Sequence, residues 1–156
     1  MQTTLEIDTL TIHHQDGDLP YRLRNGGYSL TSDSISISID CEATGEDDPF
    51  PPSALICLEN CKIEHPPRAG DVLTCRGGML VNDQDVPQRA WGYFTFHVDQ
   101  ITQTWTVESI EGDVIMATLE ASHDDVNYYG DQARETTSRG RFALHRRSLN
   151  ELWVPS

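Results

Sequence analysis

Hydrophobic and polar residues alternate along most of this chain. In the segment SISISID (34–40), Ile35, Ile37 and Ile39 fall on one side of an extended strand and the serines fall on the other. This period of two is typical of a strand with one buried face and one face in water. We therefore predict a strand here whose isoleucines point into the core and whose serines face solvent.

The same alternation recurs in later segments. GYFTFHVD (92–99) is predicted to form one strand, and DVIMATLEA (113–121) and SRGRFALHR (138–146) are predicted to form two more. Each brings its apolar side chains to a single face. The side chains predicted to point inward are Phe94, Phe96, Val98, Ile115, Ala117, Leu119, Ala121, Phe142 and Leu144.

Strands of this kind account for most of the sequence. We count about ten, at spacings close to the 8–12 residues typical of β-sandwiches and barrels. The chain of 156 residues has the length of one ordinary domain. We therefore predict a single all-β domain over residues 1–156, a mostly antiparallel sandwich or barrel.

Turn-forming residues separate the predicted strands. The run NGG (25–27) predicts a hairpin, because a tight turn needs positive φ angles that glycine and asparagine tolerate. EGD (111–113) predicts a second hairpin. Near the N-terminus the apolar residues change from odd to even positions, and a β-bulge around Asp8–Thr9 would restore their common face.

Helical signal is confined to the C-terminal segment RSLNELWV (147–154). Ser148 is placed as the N-cap and Glu151 lies three residues later, which is the spacing of a capping box. One or two helical turns are predicted here, with three side chains docking on the body of the protein. These side chains are Leu149, Leu152 and Trp153.

The charge balance restricts the classes of partner. The chain carries 25 acidic and 11 basic residues, a formal net charge of −14. Nucleic-acid binding is disfavoured, because it depends on Lys and Arg neutralising phosphates. An acidic surface suits solubility and could attract a basic protein. No run approaches the roughly 20 apolar residues of a membrane helix, and the N-terminus lacks signal-peptide features. We therefore expect a soluble cytoplasmic protein.

Four cysteines leave three alternatives open. Cys41, Cys57, Cys61 and Cys75 could be reduced core thiols, form two disulfides, or bind zinc. The spacing lacks the paired C-x2-C motifs of structural zinc sites. Because cysteine is among the most buried residue types, reduced core thiols are favoured, and Cys57 and Cys61 are expected on one strand face.

The segment SHDDVNYYGDQARE (122–135) is the main candidate metal site. It partly matches the EF-hand calcium loop, with Asp125, Asn127 and Asp131 as candidate ligands. The position-12 glutamate is missing and no helix pair flanks the loop. Asp, Asn and Gly are also common in ordinary loops, so an inter-strand loop is favoured over a metal site.

Aromatic residues give an alternative role to the same segment. Tyr128 and Tyr129 are amphipathic side chains of the kind enriched at recognition surfaces, so this segment could contact a partner. Trp91 is a further candidate contact residue, since it begins a predicted strand.

Histidines offer a second candidate metal site. His97 and Asp99 share a predicted strand face and could share an ion, with His145 as a third candidate ligand. Ordinary surface histidines are the favoured interpretation, because ligating sites are a minority of polar clusters. No hydrolase elbow, phosphate loop or H-E-x-x-H motif occurs, so we predict neither a cofactor nor catalytic residues.

These features favour a non-catalytic interaction domain that binds another protein through its loops or its acidic face. An inhibitor or immunity-type protein that blocks a basic partner is one form of this hypothesis. A small-ligand or metal-dependent barrel enzyme that uses His97, Asp99 and His145 is the first alternative. A subunit of a homo-oligomer is the second alternative, because exposed strand edges often pair.

Overall fold

The structure is a computed structural model that describes residues 5–14, 17–44, 52–76, 78–81, 87–93, 97–99, 102–124 and 135–152. Within these ranges the chain forms eleven strands and one short helix. The strands are β1 (Thr9–His14), β2 (Gly17–Leu30), β3 (Ser34–Ala43), β4 (Ser53–Lys62), β5 (Val72–Arg76), β6 (Gly78–Val81), β7 (Pro87–Tyr93), β8 (His97–Asp99), β9 (Thr102–Glu111), β10 (Val114–Asp124) and β11 (Glu135–Arg146), and the helix is α1 (Leu149–Leu152).

All the strands belong to one sheet that is nearly closed into a barrel. The strand order is β5-β9-β10-β11-β1-β2-β3-β4-β7-β6, and β8 pairs with β7. The pairings are antiparallel except for a short parallel contact between β11 and β2. The prediction of an all-β, mostly antiparallel fold is confirmed. None of the described helices is long and apolar enough to cross a membrane.

The barrel core is filled by the inward side chains of nearly every long strand. Trp105 and Phe142 are fully buried, and their ring centroids lie 6.1 Å apart. The inward orientation predicted for β10 and β11 is confirmed, since those side chains are at most 3% exposed. The members of this set are Ile115, Ala117, Leu119, Ala121, Phe142 and Leu144.

The outer face of β3 is covered, contrary to prediction. Ser36 and Ser38 are only 3% and 6% exposed, although they alternate with the core isoleucines. The register partner of Ser38 is Gly27, and a Cβ built on Gly27 would lie within 3 Å of the Arg147 side chain. Because α1 also packs on β2 and β3, we call the segment 147–152 the C-terminal cover.

The hairpin predicted at residues 25–27 is wrong. β2 continues through Gly26 and Gly27, which pair with β3, and neither glycine has a positive φ. A Cβ on Gly27 would lie 2.7 Å from the backbone oxygen of His145 on β11. Glycine therefore permits the close approach of another strand rather than a turn. The chain reverses later, where the N–H of Thr31 donates to the carbonyl of Ser34.

The single strand predicted over residues 92–99 is also wrong. β7 ends at Tyr93, and β8 begins at His97 and pairs antiparallel with β7. The chain therefore reverses within this segment. Alternation could not reveal the reversal, because the run contains no Gly, Pro or Asn after its first residue. Phe94 and Phe96 lie outside the described residues.

The second predicted hairpin lies where the sequence placed it, but the predicted bulge does not bring the preceding apolar residues to the core face, since β1 begins at Thr9 and Ile7 is 47% exposed. The β9–β10 hairpin turns through Gly112, whose φ is +60°, so the second predicted hairpin is confirmed. Asp8 has a φ of +64° immediately before β1. Its N–H donates to Arg141, its carbonyl accepts from Leu23, and its carboxylate accepts from the N–H of Ala143. This residue therefore ties the start of β1 to both neighbouring strands.

The predicted capping box is confirmed. The Ser148 hydroxyl donates to the Glu151 carboxylate at 2.8 Å, and the N–H of Glu151 points back to the Ser148 oxygen at 3.4 Å. Leu152 packs against the body and is 5% exposed, whereas Leu149 is 44% exposed and does not dock. Trp153 lies outside the described residues.

All four cysteines are buried thiols outside any disulfide, as the favoured interpretation predicted. The expectation that Cys57 and Cys61 share a face is wrong. Asn60 has a φ of +54°, and the register between β3 and β4 shifts beside it, so that Cys61 opposes Ile35 while Cys57 opposes Ser38. Cys61 therefore joins the core, and Cys57 lies on the outer side of the sheet.

Candidate functional site

The outer faces of β9, β10, β11 and β1 form an open groove of about 690 Å³, which we call the outer-face groove. It exists because each of these strands buries every second side chain and leaves its neighbours outside. The polar side chains that line it are Thr11, His13, Thr104, Thr106, Thr118, Glu120 and Arg139.

The strand register aligns these side chains in rows. Thr104, Glu120, Arg139 and Thr11 are successive partners across β9, β10, β11 and β1. In the next row, Thr106 is opposite Thr118. Cross-strand partners place their Cβ atoms about 5 Å apart. A ligand lying across the strands would therefore meet closely spaced hydroxyl groups and charged groups.

The charges in and beside the groove are paired. Arg139 lies 3.6 Å from Glu120, with side chains 54% and 60% exposed. At one side, the Arg141 guanidinium donates to Glu108 at 2.9 Å. Exposed ion pairs stabilise a fold by at most about 1 kcal/mol. The Arg139–Glu120 pair can therefore exchange partners with a bound molecule at little expense in stability.

The chemistry of the groove is suited to hydrogen bonding. His13 is held by Asp18, with its Nδ1 atom 2.8 Å from the carboxylate. Among the described lining residues there is no Phe, Tyr or Trp. The arrangement offers hydrogen-bond donors and acceptors for a polar surface.

A buried His–Ser pair lies at one end of the core. The Nε2 atom of His123 lies 2.6 Å from the Ser138 hydroxyl oxygen, and both side chains are fully buried. The pair resembles a nucleophile and its base in distance, but its burial keeps substrate away, so we assign it a structural role. Sequence analysis missed it, although His123 continues the period-two pattern of Leu119 and Ala121.

A second buried network links β9 to β4. The Trp105 indole donates to Gln103 at 3.0 Å, and the Gln103 amide donates to the backbone oxygen of Cys57 at 2.8 Å. Gln103 lies on β9 and Cys57 on β4, near opposite ends of the strand order, so this network helps to close the barrel. Buried polar side chains need such partners, because an unsatisfied amide costs about 1–3 kcal/mol.

The predicted loop residues fall outside the described part of the chain. Asp125, Asn127, Tyr128, Tyr129 and Asp131 all belong to the segment 125–134 that connects β10 to β11. These two strands form part of the outer-face groove. The proposed calcium and partner contacts of this segment therefore stay predictions.

The backbone positions of the histidine candidates are described. Trp91 is the register partner of Asp99, and Tyr93 is the partner of His97. Asp99 lies three residues before Thr102, which pairs with Ser122 near the C-terminal end of β10. His145 pairs with Val114, at the N-terminal end of β10. These ends lie about 27 Å apart at the usual rise per residue. The fold therefore separates His145 from the other two positions.

Metal ligands do not cluster in the part of the chain that the structure describes. No group of three or more His, Cys, Asp or Glu side chains there could hold an ion. Comparison with known proteins found no matching family model, no matching curated protein and no matching solved structure. The interpretation of function therefore depends on the geometry of this chain alone.

Proposed function

We propose that this protein is a non-catalytic binding domain that contacts another protein through the outer-face groove. One observation carries the proposal: strands that fill the core on their inner face leave a groove of about 690 Å³ on their outer face. Its lining combines hydroxyl groups with an exposed Arg139–Glu120 pair. Arginine is enriched at protein interfaces, and hydroxyl groups supply adaptable hydrogen bonds.

The shape of the groove favours a macromolecular partner over a small ligand. Small-molecule sites are usually enclosed, mostly apolar cavities with a few polar groups. This groove is open, and most of its lining side chains are polar. The barrel interior could have held a small ligand, but Trp105, Phe142 and Tyr21 fill it among the described residues.

The charge of the chain favours a basic partner. A net charge of −14 would speed association with a basic surface by electrostatic steering, and this effect would weaken in salt. The molecule as a whole is acidic, but within the groove the charges of Arg139 and Glu120 offset each other. Hydrogen bonds, rather than net charge, would therefore determine specificity in the groove. A cytoplasmic location and a homo-oligomeric state stay predictions.

The experiment compares charge reversal inside and outside the groove. Arg139→Glu places two carboxylates together and removes the arginine, whereas Arg22→Glu makes the same change on an exposed part of β2 outside the groove lining. Proteins captured by immobilised wild type are identified, purified, and titrated against each variant. We expect at least a tenfold weaker affinity for Arg139→Glu and little change for Arg22→Glu.

A double variant separates loss of charge from loss of geometry. Glu120→Arg combined with Arg139→Glu restores an ion pair in reversed orientation, so a partner that reads specific donors would still bind weakly. Equal affinity of wild type and Arg139→Glu for every purified partner would contradict the use of this groove. Size-exclusion chromatography of the wild type, which forms multiples of 17.5 kDa if it self-associates, tests the oligomer alternative.

A further inference from the structure

Two buried thiols lie on β4 and β5, which contact each other where the barrel closes. Cys61 lies near the end of β4 and Cys75 near the end of β5. Both belong to the buried core cluster, and each is 4% exposed. β7 pairs with β4 only as far as Glu59, so the last residues of β4 have no β7 residue opposite them. We call this junction between β4 and β5 the barrel seam.

Two contacts join the β5 side of the sheet to β4. Lys62 and Leu73 line the same surface cavity; Lys62 directly follows Cys61, and Leu73 lies two residues before Cys75. The register partner of Cys75 is Gln103, whose amide donates to the backbone oxygen of Cys57, four residues before Cys61 on β4. Cys61 and Cys75 therefore belong to one buried cluster at the seam.

We propose that Cys61 and Cys75 form a disulfide across the barrel seam when the protein meets a low-molecular-weight disulfide such as oxidised glutathione. One cysteine thiolate attacks the glutathione disulfide, which gives a mixed disulfide and releases one glutathione thiolate. The second cysteine thiolate attacks the protein sulfur of that mixed disulfide and releases the second glutathione. Two protein thiols are oxidised, one glutathione disulfide is reduced, and both protons pass to the released thiolates.

The environment of the thiols determines the conditions of the reaction. Burial, and to a smaller extent repulsion from the neighbouring Cys75 thiolate, together raise the pKa of Cys61 to about 11. Burial also raises the pKa of Cys75. Because each cysteine is only 4% exposed, glutathione reaches the sulfur atoms only when the seam opens locally. Because the thiolate is the reactive form, exchange should be slow at neutral pH and faster as the pH rises.

The other two cysteines cannot substitute for either partner. Cys57 lies on the outer side of the sheet, with its sulfur 3.8 Å from the Ser38 hydroxyl oxygen. Cys41 is fully buried and pairs with Ala54 and Leu23, away from the seam. The proposal is therefore specific for one of the six pairs that four cysteines allow.

The experiment uses the full-length wild-type protein. It is reduced, incubated with oxidised glutathione at about pH 8.5, and then alkylated with N-ethylmaleimide. Digestion with a glutamate-specific protease places each cysteine in its own peptide, because Glu42, Glu59 and Glu64 separate them. We expect two of the four thiols to escape alkylation, a cross-link between the peptides 60–64 and 65–108 whose mass is 2 Da below their sum, and reversal by dithiothreitol.

A thermal melt of the same samples provides a second measurement. The disulfide would close a loop of 15 residues, and such a loop should raise Tm by roughly 6–12 °C. Cys57→Ala should keep the cross-link, and Cys75→Ala should lose it. A cross-link that includes Cys41 or Cys57, or four alkylated thiols after prolonged incubation, would overturn the proposal, and the wild-type peptide map decides this even if a variant fails to fold.

Discussion

The outer faces of two parts of this barrel have different environments. On β9 and β10, outward side chains such as Thr106 and Thr118 are partly exposed and line a groove. On β2 and β3, outward Gly27, Ser36 and Ser38 are buried, and Gly27 and its partner Ser38 lie beside the C-terminal cover. Both parts follow the same period-two pattern. Alternation therefore determines which way a side chain points, whereas a segment remote in sequence determines whether it meets water.

The largest difference is expected when a charge is placed on each outer face. Ser38→Lys would bury a cation close to the Arg147 side chain and should lower the free energy of unfolding by about 3 kcal/mol or more. Thr106→Lys leaves its ammonium group in water and should change that free energy by no more than about 0.5 kcal/mol. Urea denaturation of both variants measures the difference.

The sign of the charge provides the control. Ser38→Glu should destabilise the protein less than Ser38→Lys, because a carboxylate there can pair with Arg147. Within the described residues, the Arg147 Nε atom is buried and has no hydrogen-bond partner. Equal losses for the two variants would show that Arg147 does not cover this face in solution.

The two adjacent glycines of β2 give the next test. Gly27→Ala should lower the free energy of unfolding by about 1–3 kcal/mol, because its Cβ would lie 2.7 Å from the backbone oxygen of His145. Gly26→Ala should have a smaller effect, since its nearest neighbours are the flexible methyl groups of Leu23 at 3.0 and 3.3 Å. Thermal melts compare the two variants with wild type. Large and equal decreases in Tm would instead favour a turn with positive φ at both glycines.

These glycines show how far the sequence predicts the fold. Alternation placed Ile35, Leu119 and Phe142 in the core, because burial of one face needs only local period-two order. It failed at Gly27, because the same residue type serves tight turns and close contact between strands. The second role depends on β11, which lies more than a hundred residues away in the sequence.

The candidate site was less predictable than the fold. The outer-face groove combines residues from four strands, and only their register places Thr104, Glu120 and Arg139 in one row. A single sequence contains no information about register between distant strands unless a turn fixes it. Motif spacing instead drew attention to contiguous polar segments such as 122–135.

A smaller effect is expected where the C-terminal cover begins. Ser148→Ala removes the N-cap of α1 and should lower the free energy of unfolding by about 1 kcal/mol. Ser32→Ala, at an exposed serine in the connection between β2 and β3, is the matched control and should have almost no effect. If Ser148→Ala behaves like the control, the capping box contributes nothing to the attachment of the cover.

The smallest expected effect is the pH dependence of the same cap. Hydrogen bonds from Ser148 lower the pKa of Glu151 below its usual value of 4.5. A carboxyl group whose pKa is lowered by folding stabilises the native state above its unfolded pKa, and this contribution disappears as the pH falls through the lower folded value. The Glu151→Gln variant has no carboxyl group at this position to titrate. The difference in Tm between wild type and this variant should therefore be present at neutral pH and disappear below about pH 4. The other carboxyl groups are common to both proteins and cancel in the comparison. A Tm difference that stays constant between neutral and acidic pH would mean that the glutamate charge does not contribute to the cap.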